Sequence, residues 1–242
     1  MGYIWGTAMK ALCHLFSRFQ RVRMSHIAMK TPASYWIAGP TSSGKTSFTR
    51  KLIRHRRDMF EIPPEEVYYC YKEYQPEVFG DMEKKDGVKF HQGLPCVETM
   101  KTWSRNVSGR HILVVLDDMQ NEIVKSSEMA TVFTVLSHHS NISVVCLVQN
   151  IFPQSRYSRD ISLNCGYMIL MNNKRDKLQL TNLARQLCPG NVKFFTSAYE
   201  DAVTSKKYGY LQVDMHPSTP EEYMLRTNIW PDEMTIVYRP MI

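Results

Sequence analysis

Gly39-Pro40-Thr41-Ser42-Ser43-Gly44-Lys45-Thr46 decides how this chain folds, because it fills every fixed position of the phosphate-binding pattern G-x-x-x-x-G-K-[ST]. Ser34-Tyr35-Trp36-Ile37-Ala38, just before it, is short and apolar, as a buried parallel strand is. From Ser47 to Arg57, Phe48, Leu52 and Ile53 recur at helical spacing. In that order, strand, loop and helix aim the loop amides and the unpartnered first-turn N–H groups at an anion. Gly39, Pro40, Thr41, Ser42, Ser43, Gly44, Lys45 and Thr46 therefore read as the cradle of a nucleoside triphosphate. Lys45 would add its charge to the β- and γ-phosphates, and the Thr46 hydroxyl would hold Mg²⁺. A Gly/Ser-rich turn that merely opens a helix is the plainer alternative; the flanking strand and helix argue against it.

His111-Ile112-Leu113-Val114-Val115-Leu116-Asp117-Asp118 is the second decisive stretch. Its apolar run makes a fully buried strand with two carboxylates at the carboxyl end, where open α/β sheets bind ligands. This pair resembles the Walker B element of P-loop ATPases. Asp117 would join Thr46 in the Mg²⁺ shell, and Asp118 would polarise the attacking water, a task many relatives give to Glu. Aspartate is one methylene shorter, so Glu122 from the next turn is the alternative base. A helix-capping aspartate is the structural alternative. Ile142 to Val148 forms another buried strand and ends in Gln149-Asn150. Those amides could touch the γ-phosphate or orient the water, as a sensor does when an extra strand separates the two Walker elements. Capping a turn is the duller reading.

Between these landmarks, Ile62-Pro63-Pro64-Glu65 reads as a loop and Val67 to Tyr71 as a strand. Gln75 to Gly87 looks polar and turn-like, Val88 to His91 extended, and Val97 to Ser104 helical. Ser126 to His139 has helical spacing. Tyr167 to Met171 reads as a strand, Lys177 to Leu187 and Lys193 to Val203 as helices, and Tyr208 to Asp214 as a last strand. The division expected is a basic helical arm over residues 1–30, an ATPase domain over 31–216 and an extended tail over 217–242. Pro217, Pro220, Pro231 and Pro240 suggest that the tail lies over the domain. Met24 and Met29 are alternative starts.

Composition is that of a globular protein of 242 residues, long enough for a sizeable core. No apolar run reaches the ~18 residues needed to cross a bilayer. Six scattered cysteines show no ligand-like spacing and suit buried thiols in a reducing compartment. His138-His139 has no third ligand nearby and fits a helix end. No acid precedes Asp58, whereas eleven Lys and Arg residues do, so the net charge of +7 belongs to the first quarter of the chain. Such a patch suits a polyanion, nucleic acid first. The solvated face of the helix after the loop accounts for part of it.

Several segments together resemble one group. Gly39 to Thr46, Leu113 to Asp118, Ser137 to Val144 running into Leu147-Val148-Gln149-Asn150, Arg159 to Asn164, and Leu225 to Ile229 look like the FtsK/HerA-type genome-packaging ATPases of eukaryotic double-stranded DNA viruses and Maverick/Polinton elements. Poxvirus packaging ATPases are more distant relatives. The likeness covers residues 34–240, and Ser137 to Asn164 is its most specific part. The Asp at position 118 departs from the usual Glu, and the basic arm matches nothing in the group.

The resemblance implies an α/β P-loop fold of the additional-strand type, with a central, mostly parallel sheet flanked by helices. It implies an ATP- and Mg²⁺-dependent ring motor that drives double-stranded DNA into a preformed capsid, docking on capsid or portal-vertex proteins. In that class an arginine of one subunit reaches the ATP of the next. Arg159, just beyond the sensor strand, is the candidate; Arg156 and Arg175 are rivals, and pairing of Arg159 with Asp160 is the structural alternative. A P-loop nucleotide or small-molecule kinase and a nucleotide-gated assembly protein are the competing functions. A kinase needs an acceptor pocket and lid arginines, and the intact Lys45, Thr46, Asp117 and Asp118 set disfavours a protein that does not hydrolyse.

Overall fold

Ten strands make one sheet in the computed structural model, which describes residues 19–74, 76–136 and 140–241. In chain order they are β1 (Phe19–Met24), β2 (Ser34–Ala38), β3 (Glu66–Tyr71), β4 (Lys89–Gln92) and β5 (Ile112–Asp117). β6 (Ile142–Val148), β7 (Tyr167–Met171), β8 (Tyr210–Asp214), β9 (Leu225–Thr227) and β10 (Thr235–Pro240) follow. Their spatial order is β1-β10-β9-β8-β7-β2-β6-β5-β3-β4. From β7 to β4 every pairing is parallel, and from β7 back to β1 every pairing is antiparallel. β6 lies between β2, which feeds the phosphate loop, and β5, which carries the aspartates. That is the additional strand expected from the sequence.

The helices are α1 (Lys45–Arg54), α2 (Arg56–Met59), α3 (Pro76–Asp86), α4 (Val97–Asn106) and α5 (Gln120–Ile123). α6 (Ser127–Thr131), α7 (Ser158–Leu163), α8 (Lys177–Leu187) and α9 (Val192–Thr204) complete the α-helices among the described residues, and a π-helical stretch, Val132–Leu136, continues α6. Strand periodicity of two sorts side chains to opposite faces. Trp36, Val114, Val144, Cys146 and Met168 enter one core, and Tyr35, Ile37, Leu113, Val115, Val145 and Ile169 the other. Both faces are covered, which is why the central strands read as continuous apolar runs. α1 packs Phe48, Leu52 and Ile53 inward, the stripe that its spacing predicted.

Three expectations differ from the structure. Residues 75–87 are not a turn: Pro76 to Asp86 is α3, which buries Phe79 and Met82 one helical turn apart. Arg50 and Arg54 of α1 reach Asp81 on this otherwise polar helix, so tertiary contact supplies what amphipathicity does not. The arm is not helical over Phe19 to Met24; this segment is β1, paired antiparallel with β10 from Phe19↔Pro240 to Met24↔Thr235. Phe19 meets Tyr238 edge-to-face at 5.1 Å, and Arg21 forms an ion pair with Asp201. Residues 25–30 are not helical either, and the remainder of the expected arm, residues 1–18, lies outside the described set, as do His138 and His139. The tail does not drape over the domain but supplies β9 and β10 to the sheet; Pro220 and Pro231 lie between those strands and their neighbours.

Folding also disperses the basic first quarter. Arg21, Lys30, Arg50, Lys51 and Arg54 each pair with a carboxylate from elsewhere in the chain. Exposed pairs of this kind each contribute little stability. They nevertheless engage five of the eleven basic residues that read, in the sequence, as a free cationic patch.

Candidate active site

The phosphate loop leaves β2 at the centre of the sheet. Gly39 donates its N–H to Val148 O at the end of β6, at 3.1 Å. A Cβ on Gly39 would lie 2.6 Å from both Met171 Cβ and Ser43 Oγ, so only glycine fits. Gly44, with φ 102°, caps α1 without a side-chain hydrogen bond, and no acid occupies the first turn. The first-turn amides are thus left for an anion. Ser43 Oγ is buried without a hydrogen-bond partner among the described residues. Lys45 Nζ donates to the carbonyls of Gly39 at 2.6 Å and Pro40 at 3.0 Å, folded back over the loop it would share with phosphates. Burial lowers the Lys45 pKa, and the charges of Asp117 and Asp118 partly oppose that. Thr46, half-buried, is the second residue of α1.

Asp117 ends β5, with Leu147 of β6 as its cross-strand partner. Its Oδ2 accepts a hydrogen bond from Tyr69 Oη of β3 at 2.6 Å. Burial raises the Asp117 pKa above the ordinary carboxylate range; Asp118 adds to the rise, while Tyr69 and Lys45 oppose it. The charges of Asp117 and Asp118 act on Lys45, and those of Lys45 and Asp118 on Asp117, so these three expected residues lie close together. Asp118 is exposed and adopts φ 57°, a left-handed conformation that aspartate tolerates and that turns its carboxylate out of the strand alternation. Glu122, the other candidate base, accepts from Lys72 Nζ at 2.9 Å, which holds its carboxyl below its ordinary range. A carboxylate so engaged is a weaker proton acceptor.

Gln149 and Asn150 stand exposed at the end of β6, and Gln149 shares a cleft with Gly39, Asn173, Asp176, Gln179 and Tyr199. The two backbone amides are held by a residue that sequence reasoning missed. Gln120 Oε1 accepts from Gln149 N at 2.7 Å and from Asn150 N at 3.2 Å. Gln120 lies three residues beyond Asp117, so one amide ties the sensor turn to the aspartate-bearing strand. Its position on the first turn after β5 is the only hint the sequence holds.

Arg159 is exposed on α7, and no ion pair to it, from Asp160 or any other acid, occurs among the described residues. It does not line the cleft by Gly39. Arg156 is exposed, its guanidinium 5.2 Å from the Tyr157 ring centre, and Arg175 donates its backbone N–H to Asn173 Oδ1 at 3.0 Å. Within one chain, therefore, the structure gathers the lysine, the aspartates and the sensor turn but leaves the three arginines facing outward.

The site suits Mg·ATP. An uncapped helix start, a buried hydroxyl without a partner and a glycine cradle match a polyphosphate, and Thr46 with Asp117 matches a cation that takes few protein ligands beside phosphate oxygens.

No curated protein sequence matches the chain. The DNA-packaging ATPase B204 from Sulfolobus turreted icosahedral virus superposes with a TM-score of 0.53 at 13% identity, covering 88% of this chain and 100% of that one. The genome packaging NTPase B204 of Sulfolobus turreted icosahedral virus 2 does so with AMPPCP at 0.51 (10% identity, 88% and 100% covered) and with ATP-gammaS at 0.50 (11% identity, 87% and 98% covered). At such identities the likeness is one of fold. Sequence carries the family: the profile of the Poxvirus A32 protein matches residues 17–187, which span both Walker elements and the sensor turn. The chain belongs to the Poxvirus A32 protein family and is a viral genome-packaging ATPase of the FtsK/HerA type.

Proposed function

We propose that this ATPase acts as one subunit of a ring that couples hydrolysis to driving double-stranded DNA into a preformed capsid. The observation that carries the reading is the incomplete site: Lys45, Asp117, Asp118 and the sensor turn converge, while Arg159 stands exposed outside the cleft, with no ion pair among the described residues. A neighbouring subunit is the natural source of the missing cation.

In the proposed cycle Lys45 exchanges the Gly39 and Pro40 carbonyls for phosphate oxygens. Mg²⁺, held by Thr46 and Asp117, would neutralise charge on the phosphates. Asp118 orients a water and accepts its proton, and the Gln149-Asn150 turn reports the state of the terminal phosphate to α7. Arg159 of the adjacent subunit stabilises the transferred phosphoryl group, a contribution worth a factor of ~10³–10⁵ in rate. DNA is held through its phosphates, so affinity falls with salt and base preference is slight. The buried free thiols Cys70, Cys146 and Cys165 suit a reducing compartment of the host cell.

The test is hydrolysis with and without double-stranded DNA, beside electron microscopy of the protein with DNA and a slowly hydrolysed ATP analogue. DNA-stimulated turnover and closed rings are expected. Phosphate transfer to a small acceptor would favour a kinase; a monomer indifferent to DNA would end the motor reading.

A further inference from the structure

Gly44 carries no side chain, and an aromatic ring stands where one would be. A Cβ there would lie 2.9 Å from Cδ1 of Tyr208 and 3.0 Å from its Cβ and Cγ. Tyr208 precedes β8, which runs antiparallel to β7 with Tyr210 opposite Met171, so it sits at the carboxyl ends of the parallel strands. Sheet order puts β7 and β8 on one side of β2, and β6 and β5 on the other. Tyr208 and the aspartates therefore flank the phosphate loop from opposite sides. A triphosphate lying along the loop with its reacting end toward Asp117 and Asp118 carries its sugar and base toward Tyr208.

This ring differs from the chain's other well-placed tyrosines. Tyr69, Tyr199 and Tyr238 are buried and donate to Asp117, Met171 O and Asp201. Tyr208 is 49% exposed, and no hydroxyl hydrogen bond of its own occurs among the described residues. Its backbone is held at φ 58°, uncommon for a bulky residue. Lys207 Nζ lies over this ring, 5.1 Å from its centre, so the end of a flexible lysine rests where a stacked base would displace it. A packed structural aromatic would be covered by apolar neighbours; this one is half exposed next to the phosphate cradle.

We infer that Tyr208 is the platform on which the nucleoside of ATP stacks, with Lys207 beside it. The inference rests on the ATP site described above. A π-face supports any base, so the platform grips the nucleoside without reading the base edge.

Calorimetric titration of the full chain with Mg·ATP, Mg·GTP and inorganic tripolyphosphate tests it. Tyr208→Ala should weaken ATP and GTP alike, by about tenfold on the scale of base–aromatic stacking. Tripolyphosphate, which has nothing to stack, should bind the variant and the parent equally, and Tyr208→Trp should restore ATP affinity. An equal loss for tripolyphosphate would reduce Tyr208 to a loop support and overturn the inference, as would unchanged ATP affinity. Failure of the unaltered protein to bind either ATP or tripolyphosphate would instead overturn the ATP site itself.

Discussion

The Tyr69 hydroxyl donates to Asp117 Oδ2 at 2.6 Å, linking neighbouring strands β3 and β5 beside the phosphate loop. Burial works against the ionised carboxylate, and this hydrogen bond works for it. A carboxyl whose folded pKa is raised favours the folded state below its unfolded value, and that contribution is lost as pH rises through the folded value. The nucleotide-free protein should therefore gain stability as pH drops through the raised value, while hydrolysis, which needs the anion, declines over the same interval. Tyr69→Phe should move the acid limb of kcat/KM to higher pH. A limb that stays put or moves down would show that the hydroxyl does not tune Asp117.

Asp117→Asn removes the buried charge and keeps an acceptor for Tyr69. Without nucleotide this variant should melt at a higher temperature at neutral pH, yet turn over at background rate. A lower melting temperature would mean that the carboxylate is structurally favourable as it stands.

Gln120 spans from the aspartate strand to the sensor turn through two amides. Gln120→Met keeps the bulk without the acceptor, and should lower kcat about 10- to 100-fold with little change in KM, as small misplacements of catalytic groups do. Gln120→Glu, which retains an acceptor, should recover part of the loss. Faster hydrogen exchange at the Gln149 and Asn150 amides in the methionine variant is the direct readout; unaltered exchange would contradict the assignment.

Arg159→Ala should bind ATP as the parent does but hydrolyse it at least about a thousandfold more slowly. Mixed with Lys45→Ala subunits it should regain activity, because some interfaces then hold one intact site. No recovery in rings shown to be mixed would rule out action across the interface and turn attention to Arg156 or Arg175.

Asp214 of β8 and Arg226 of β9 form a buried ion pair. Burial raises the Asp214 pKa, and Arg226 opposes that rise. Arg226→Met leaves the carboxylate unmatched and should cost about 3–5 kcal/mol in urea denaturation, whereas Asp214→Leu with Arg226→Met should recover most of it. A single variant as stable as the parent would show that Asp214 is already neutral.

The parts of the fold that were legible are those whose signal is local. Gly39 to Thr46 needs only its own spacing and flanks to be recognised, and the apolar runs of β2, β5, β6 and β7 betray strands covered on both faces. What escaped depends on distant partners. Phe19 to Met24 carries apolar and basic residues that suit a helix as well as a strand; its pairing with Thr235 to Pro240 decides the matter. α3 buries few side chains, Phe79 and Met82 among them, so its pattern is faint until α1 is beside it. Gln120 resembles any polar residue on a short helix, because its two acceptor contacts lie 29 and 30 residues further on.

The pairing of β1 with β10 also imposes an order on synthesis. β1 must wait for β10, since, among the described residues, 19–24 find their neighbour in residues 235–240. Until residues 235–240 have emerged, the antiparallel flank lacks its β1–β10 border, and its strands offer bare backbone to other nascent chains. Closure of that flank is then a late event of high contact order, which the ATP-binding half of the sheet can precede.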